Sequence, residues 1–175
     1  IMEHKQYANK YRKNERYYDG DHEILYRVQK DASKPNNKIV CDLPAYTVDL
    51  RTGYFSGEPI VFASDNQTQH EAIRDIIEYN DFQDLNSELD IMSSIYGHAF
   101  MIVYIDEDGM LRLGVDDPYN TLVIHDSSIE HKVMGALRYF EFSDAITNED
   151  KIKITLYTKD MIYELEGPIT FPTVV

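Results

Sequence analysis

The chain has 175 residues, enough for one domain with a real hydrophobic core, and its 43% apolar content excludes wholesale disorder. Its formal charge of −14 is unevenly spread: residues 1–38 hold nine Lys/Arg against six Asp/Glu, and the remainder holds eight against 25. An acidic body argues against tight duplex binding, which depends on Lys/Arg neutralising phosphates, and the lone cysteine excludes an intrachain disulfide or a cysteine zinc cluster.

No apolar run approaches the roughly 20 residues needed to span a bilayer. The amino end is charged from Glu3 onward and has no signal-peptide core, so cytoplasmic synthesis is expected. Cys41 reads as a buried small hydrophobe rather than a reactive thiol.

In chain order, residues 4–18 read as a polar, basic helix closed by the turn Asp19-Gly20. Tyr7, Tyr11 and Tyr18 give it one narrow aromatic face, suited to lying across another surface. Residues 27–38 form a loop, since Pro35 disfavours helix at Lys34 and Asn36-Asn37 supports a turn. Asp42 offers a helix N-cap with Pro44 in the first turn, and the helix should run to Phe55. Leu43, Tyr46, Leu50 and Tyr54 share one of its faces, and Gly57 suits a left-handed C-terminal cap.

Residues 59–63 read as a short strand. A helix over 68–79 follows, with Ile73, Ile76 and Ile77 inward, then a second that starts after a cap at Asp81 and ends at Gly97. Phe82, Leu85, Leu89, Met92 and Ile95 give that second helix the clearest amphipathic stripe, a core pattern. After Gly97 the period changes. Residues 99–105 and 110–115 make a hairpin around Asp106-Glu107-Asp108-Gly109, and further strands fit 121–125, 132–142, 153–158 and 161–166. Helices in the first half and antiparallel strands in the second define the class as α+β. The organisation expected is a basic arm over residues 1–38 and an α+β domain over 39–175.

Several constellations have the residue types of chemical sites. Asp106, Asp108 and Gly109 hint at a calcium loop, but the sixth and twelfth positions are Leu111 and Asp117, so a hairpin turn is the better reading. Asp116-Asp117-Pro118 pairs two carboxylates, yet no histidine or acidic cluster at ligand spacing accompanies them, and Asp-Pro opens turns. The six histidines at 4, 22, 70, 98, 125 and 131 form no metal motif. Ser93-Ser94 lacks a nucleophile elbow, and no phosphate loop, zinc finger or RNA-binding strand is present. No enzymatic reaction, cofactor or metal site is specified.

Four stretches in order carry a family likeness. They are the run from Arg16 to Leu25 (Arg-Tyr-Tyr-Asp-Gly-Asp-His-Glu-Ile-Leu) and Lys34-Pro35-Asn36-Asn37-Lys38-Ile39-Val40. Then come Tyr46-Thr47-Val48-Asp49 leading to Thr52-Gly53-Tyr54-Phe55-Ser56-Gly57-Glu58-Pro59, and Ser94-Ile95-Tyr96-Gly97-His98-Ala99-Phe100 followed by Tyr104 to Gly109 and Asp117-Pro118. Over roughly residues 7–140 the chain resembles the amino-terminal region of portal proteins from long-tailed phages of Gram-positive hosts.

That resemblance implies a non-enzymatic subunit of a dodecameric homo-oligomeric ring, the head-to-tail connector at one capsid vertex of a phage or prophage. It would be assembled in the host cytoplasm and carried in the virion. It implies terminase, capsid or scaffold, and head-completion proteins as partners, double-stranded DNA passing through the ring, and no membrane. The matched stretches correspond to the outer wing, so stem, tunnel-loop and clip residues have no counterpart. The chain reads as a fragment, with the family's longer connection shortened between Gly167 and Val175. The charge contrast between first helix and body suggests Lys10, Arg12, Lys13 and Arg16 as a subunit-interface set, unlike surfaces meeting in a head-to-tail ring. The other readings are a capsid adaptor or scaffold module and a metal-dependent hydrolase built on Asp116 and Asp117.

Overall fold

The computed structural model describes residues 1–29, 33–145 and 148–169. Part of the expected loop over 27–38 and most of the connection after Gly167 lie outside them. The architecture is α+β, with four helices in the first half and six antiparallel strands in two sheets after them. The chain divides into two compact units, Ile1–Asp116 and the residues from Asp117 onward.

The first unit holds α1 (Met2–Tyr18), a 3-10 turn (Glu23–Tyr26), α2 (Leu43–Ser56), α3 (Gln67–Tyr79), α4 (Phe82–Tyr96) and the hairpin of β1 (Phe100–Ile105) and β2 (Leu111–Asp116). α4 is its centre and touches α1, α2, α3 and β2. Its expected stripe is half-buried throughout, and it stops where expected, because Gly97 takes φ 87°, a left-handed cap that a side chain disfavours. Asn66 caps α3 by accepting from the amides of Thr68 and Gln69 at 3.1 and 3.3 Å.

Three local expectations are corrected. Asp42 and Asp81 precede α2 and α4 without side-chain capping bonds. Their carbonyls accept the first helical amides as usual, Asp42 from Tyr46 and Asp81 from Asp84 and Leu85, and Asp81 itself is left-handed at φ 47°. Gly57 is right-handed at φ −68°, and its lack of a Cβ is needed because one would run into the Gly53 carbonyl. Residues 59–63 form no strand. They have no ladder partner and are held to α4 by side chains, Ile60 N–H on Gln83 Oε1 at 3.4 Å and Phe62 edge-on to Phe82 at 5.9 Å.

The second unit is one four-stranded meander of β3 (Thr121–His125), β4 (Val133–Ser143), β5 (Asp150–Thr158) and β6 (Ile162–Pro168), in chain order. Its register puts Leu122 opposite Leu137, Tyr139 opposite Ile154 and Ile154 opposite Leu165, so one face is apolar. Tyr139 and Ile152 are its buried hydrophobics, and Tyr139 Oη donates to the Tyr119 carbonyl at 3.0 Å. The other face carries a charged ladder in which Lys153 meets Glu164 at 3.3 Å and Lys151 meets Asp144 and Glu166.

Candidate subunit interface

The four basic residues singled out in α1 are not equivalent once the helix is packed. Tyr11 is buried against α4, edge-on to Tyr96 at 5.9 Å and to His98 at 5.4 Å. Asn14 Nδ2 donates to the Ile95 carbonyl at 2.9 Å, and Tyr96 Oη donates to Glu15 at 3.1 Å. These contacts seat α1 on the unit's own central helix and leave Lys10, Arg12 and Lys13 exposed.

Arg16 and Lys13 are already engaged. Arg16 Nε donates to Asp21 at 2.6 Å, and Tyr26 Oη donates to the other Asp21 oxygen at 2.6 Å. These bonds, Arg16 first, hold the Asp21 carboxyl below its ordinary range. Lys13 Nζ lies 3.0 Å from Glu23, whose hydrogen bond raises the lysine's pKa. Among the described residues no ion pair reaches Lys10 or Arg12. Two residues apart on a helix of 3.6 per turn, they sit about 160° from one another on opposite flanks. The set is therefore a basic surface wrapped around α1, with Lys10 and Lys13 on one side of it.

α2 is built inside out. Its α4-facing residues are small: Ala45, Val48, Thr52 and the buried Ser56. Thr52 Oγ1 and Arg51 Nη2 donate to the buried Asp90 carboxylate at 2.9 and 3.1 Å, and Gln83 Nε2 donates to the Ser56 carbonyl at 2.7 Å. The large apolar side chains face solvent instead, with Leu43, Tyr46, Leu50 and Tyr54 exposed by 62, 63, 60 and 94%. A helix normally turns its large apolar stripe to the core. Between α1, α2 and α4 runs a groove of about 570 Å³ whose walls include Lys13, Tyr17, Leu43, Val48 and Ile95. It joins the basic flank of α1 to the apolar face of α2.

The β1–β2 hairpin is covered unequally. Asn80 acts as a stand-in strand along β2: its Nδ2 donates to the Leu111 carbonyl and its Oδ1 accepts from Leu113 N–H, both at 2.9 Å. Among the described residues β1 has no such neighbour, and its Val103 and Ile105 are 59 and 64% exposed. The turn is closed by Asp106, whose Oδ1 accepts the amides of Asp108 and Met110 at 3.0 and 2.8 Å and whose Oδ2 accepts from Tyr79 Oη at 3.1 Å. The Met110 amide leads in depressing that carboxyl's pKa.

The chemistry candidates find ordinary roles. Asp117 Oδ1 accepts Tyr119 N–H at 2.8 Å in a turn, and Asp116 is buried. Among the described residues no three His, Cys, Asp or Glu side chains gather as metal ligands, and no helix is long and apolar enough to cross a membrane. Cys41 is exposed rather than buried, because it precedes α2 outside the packed helices. Sequence reasoning missed Asn80, Asp90 and the outward turn of α2. The signal for the last was present, since its inner positions are as small as its outer ones are large.

A model of the family described as phage portal protein, SPP1 Gp6-like, matches residues 1–168. The portal protein of Bacillus phage SPP1 is 28% identical over 155 residues, which is 89% of this chain and 30% of that relative. The chain thus spans under a third of the length of this curated relative.

Proposed function

Since the chain belongs to the SPP1 Gp6-like phage portal protein family, a structural family, we propose that it is a wing-region piece of a ring-forming portal subunit. The ring, of twelve copies, sits at one capsid vertex of the virion, supports DNA packaging and ejection, and joins head to tail with terminase, scaffold and head-completion partners. The observation that carries this reading is the family match over nearly the whole chain. The α2 face supports it, because a large apolar surface rimmed by charge marks a site of association.

Within that reading, Lys10, Arg12, Lys13 and Arg16 contribute to subunit registration by meeting acidic surface of a neighbouring copy. Lys10 and Arg12 lead in this reading, because Lys13 and Arg16 already share their charge with Glu23 and Asp21. The DNA role needs no strong grip, in keeping with the acidic body and with a conduit that must not retard a polyanion. Electron microscopy of the full-length protein tests the reading, with twelvefold rings expected. Particles without rotational symmetry would favour a capsid adaptor instead. Neutralising Lys10 and Arg12 is expected to weaken assembly and flatten its salt dependence, and assembly unchanged across a salt series would refute the electrostatic part.

A further inference from the structure

Among the described residues, two apolar surfaces of the first unit lack a covering layer, and they differ in kind. One is the helical ridge Leu43, Tyr46, Leu50 and Tyr54 of α2. The other is the β1 half of the hairpin. Met101, Val103 and Ile105 pair with Val115, Leu113 and Leu111, so these six share one face of the two-stranded sheet. The helices touch β2, and β1 is left exposed at Met101, Val103 and Ile105. A strand that reads Phe-Met-Ile-Val-Tyr-Ile without a charge is composed for burial on both faces. Left open, it is an aggregation edge.

The rims of the two surfaces carry opposite charge. Lys13 lines the groove that Leu43 also lines, and Lys10 lies one helical turn before it on the same side of α1. Directly after Ile105 the hairpin tip presents Glu107 and Asp108, while Asp106 is turned in beside Tyr79 and Arg112. The four α2 residues are 60–94% exposed and the three β1 residues 36–64%.

We propose that α2 of one copy covers β1 of the next copy, with Lys10 and Lys13 over the Glu107 and Asp108 tip. This rests on the ring reading above and specifies its contact. The ridge and the sheet face are unlike, so the contact is heterologous: each copy gives a helix and receives one, and repetition generates a ring or a filament. It also places α2 over the sheet as a second layer, the arrangement that α4 already makes over β2 in the same unit.

The test uses the chain with Cys41→Ser, so that added cysteines are the sole thiols. One preparation carries Tyr46→Cys and another Val103→Cys, both exposed positions that leave the packing inside the unit intact. In a glutathione redox buffer, a disulfide-linked dimer is expected in the mixture and at most traces in either preparation alone. Efficient linkage of Tyr46→Cys to itself would overturn the proposal in favour of a two-fold helix pair. A second variant, Leu50→Asp, is expected to abolish self-association by sedimentation while keeping its helical circular dichroism. Self-association that persists with no mixed linkage, or in Leu50→Asp, refutes this contact and leaves the ring reading standing. Absence of self-association in the full-length parent refutes both.

Discussion

Replacing Arg51 by Ala probes the seam that turns α2 outward. Asp90 is 6% exposed and accepts from Arg51 at 3.1 Å and Thr52 at 2.9 Å, so Arg51→Ala strands a buried carboxylate on one hydroxyl. Removing one partner of a fully buried pair costs about 3–5 kcal/mol. The guanidinium here is 56% exposed and its field is partly screened, which lowers the expected loss to about 2–3 kcal/mol. Asp90→Ala removes the same bonds but also the desolvated charge, and should cost less, about 1–2 kcal/mol. All four α-helices belong to the first unit, so ellipticity at 222 nm in a urea titration reports that unit. With a slope of about 2 kcal/mol per molar, Arg51→Ala should lower the midpoint by about 1 M, and Asp90→Ala by roughly half of that. The double variant should lose less than the sum of the two. A larger loss in Asp90→Ala, or strict additivity, would refute the view that a stranded charge sets the cost.

Asn80→Ala removes the two bonds that tie the end of α3 to β2 and a third back to the Ile76 carbonyl, and is expected to cost about 2 kcal/mol, with hydrogen exchange at the Leu113 amide accelerated relative to the rest of the hairpin. Gly97→Ala forces a side chain into a left-handed cap and should lower stability by about 1 kcal/mol in the same titration. Burial holds the His98 pKa below its ordinary 6.5, so the unfolded chain takes up the proton first as pH falls. Its contribution is present above pH 6.5 and is lost as pH falls through the depressed folded value. His98→Phe should flatten the decline in urea midpoint over that window, and an unchanged slope would place the titration elsewhere.

Much of the fold was legible because local signals agreed. The α4 stripe, the stop at Gly97 and the Asp106 to Gly109 turn each had one consistent reading, and β3 runs over the expected residues. The failures have two causes: a tertiary partner, or local backbone geometry that composition does not show. Residues 59–63 have strand composition, but a strand exists only with an edge to pair with. Asp42 and Asp81 are good capping residues by type, yet neither side chain makes a cap bond, and Asp81 sits in the left-handed region. Asn80 could not be foreseen, since a side-chain amide that imitates a peptide group leaves no mark in a hydropathy pattern. The basic set in α1 was visible as charge, but its division between engaged and exposed members depends on Asp21 and Glu23 folding back beneath the helix.

The inside-out build of α2 separates two kinds of mutational sensitivity along a single helix. At Ala45, Thr52 and Ser56 a larger residue pushes α2 off α4, so abundance of the soluble chain would register the damage. At Leu43, Tyr46, Leu50 and Tyr54 a polar residue leaves that abundance unchanged or raises it, since exposed apolar surface disfavours solubility. A library scored for yield and again for phage production would thus rank these positions in nearly opposite orders, and the alternation would follow the helical period.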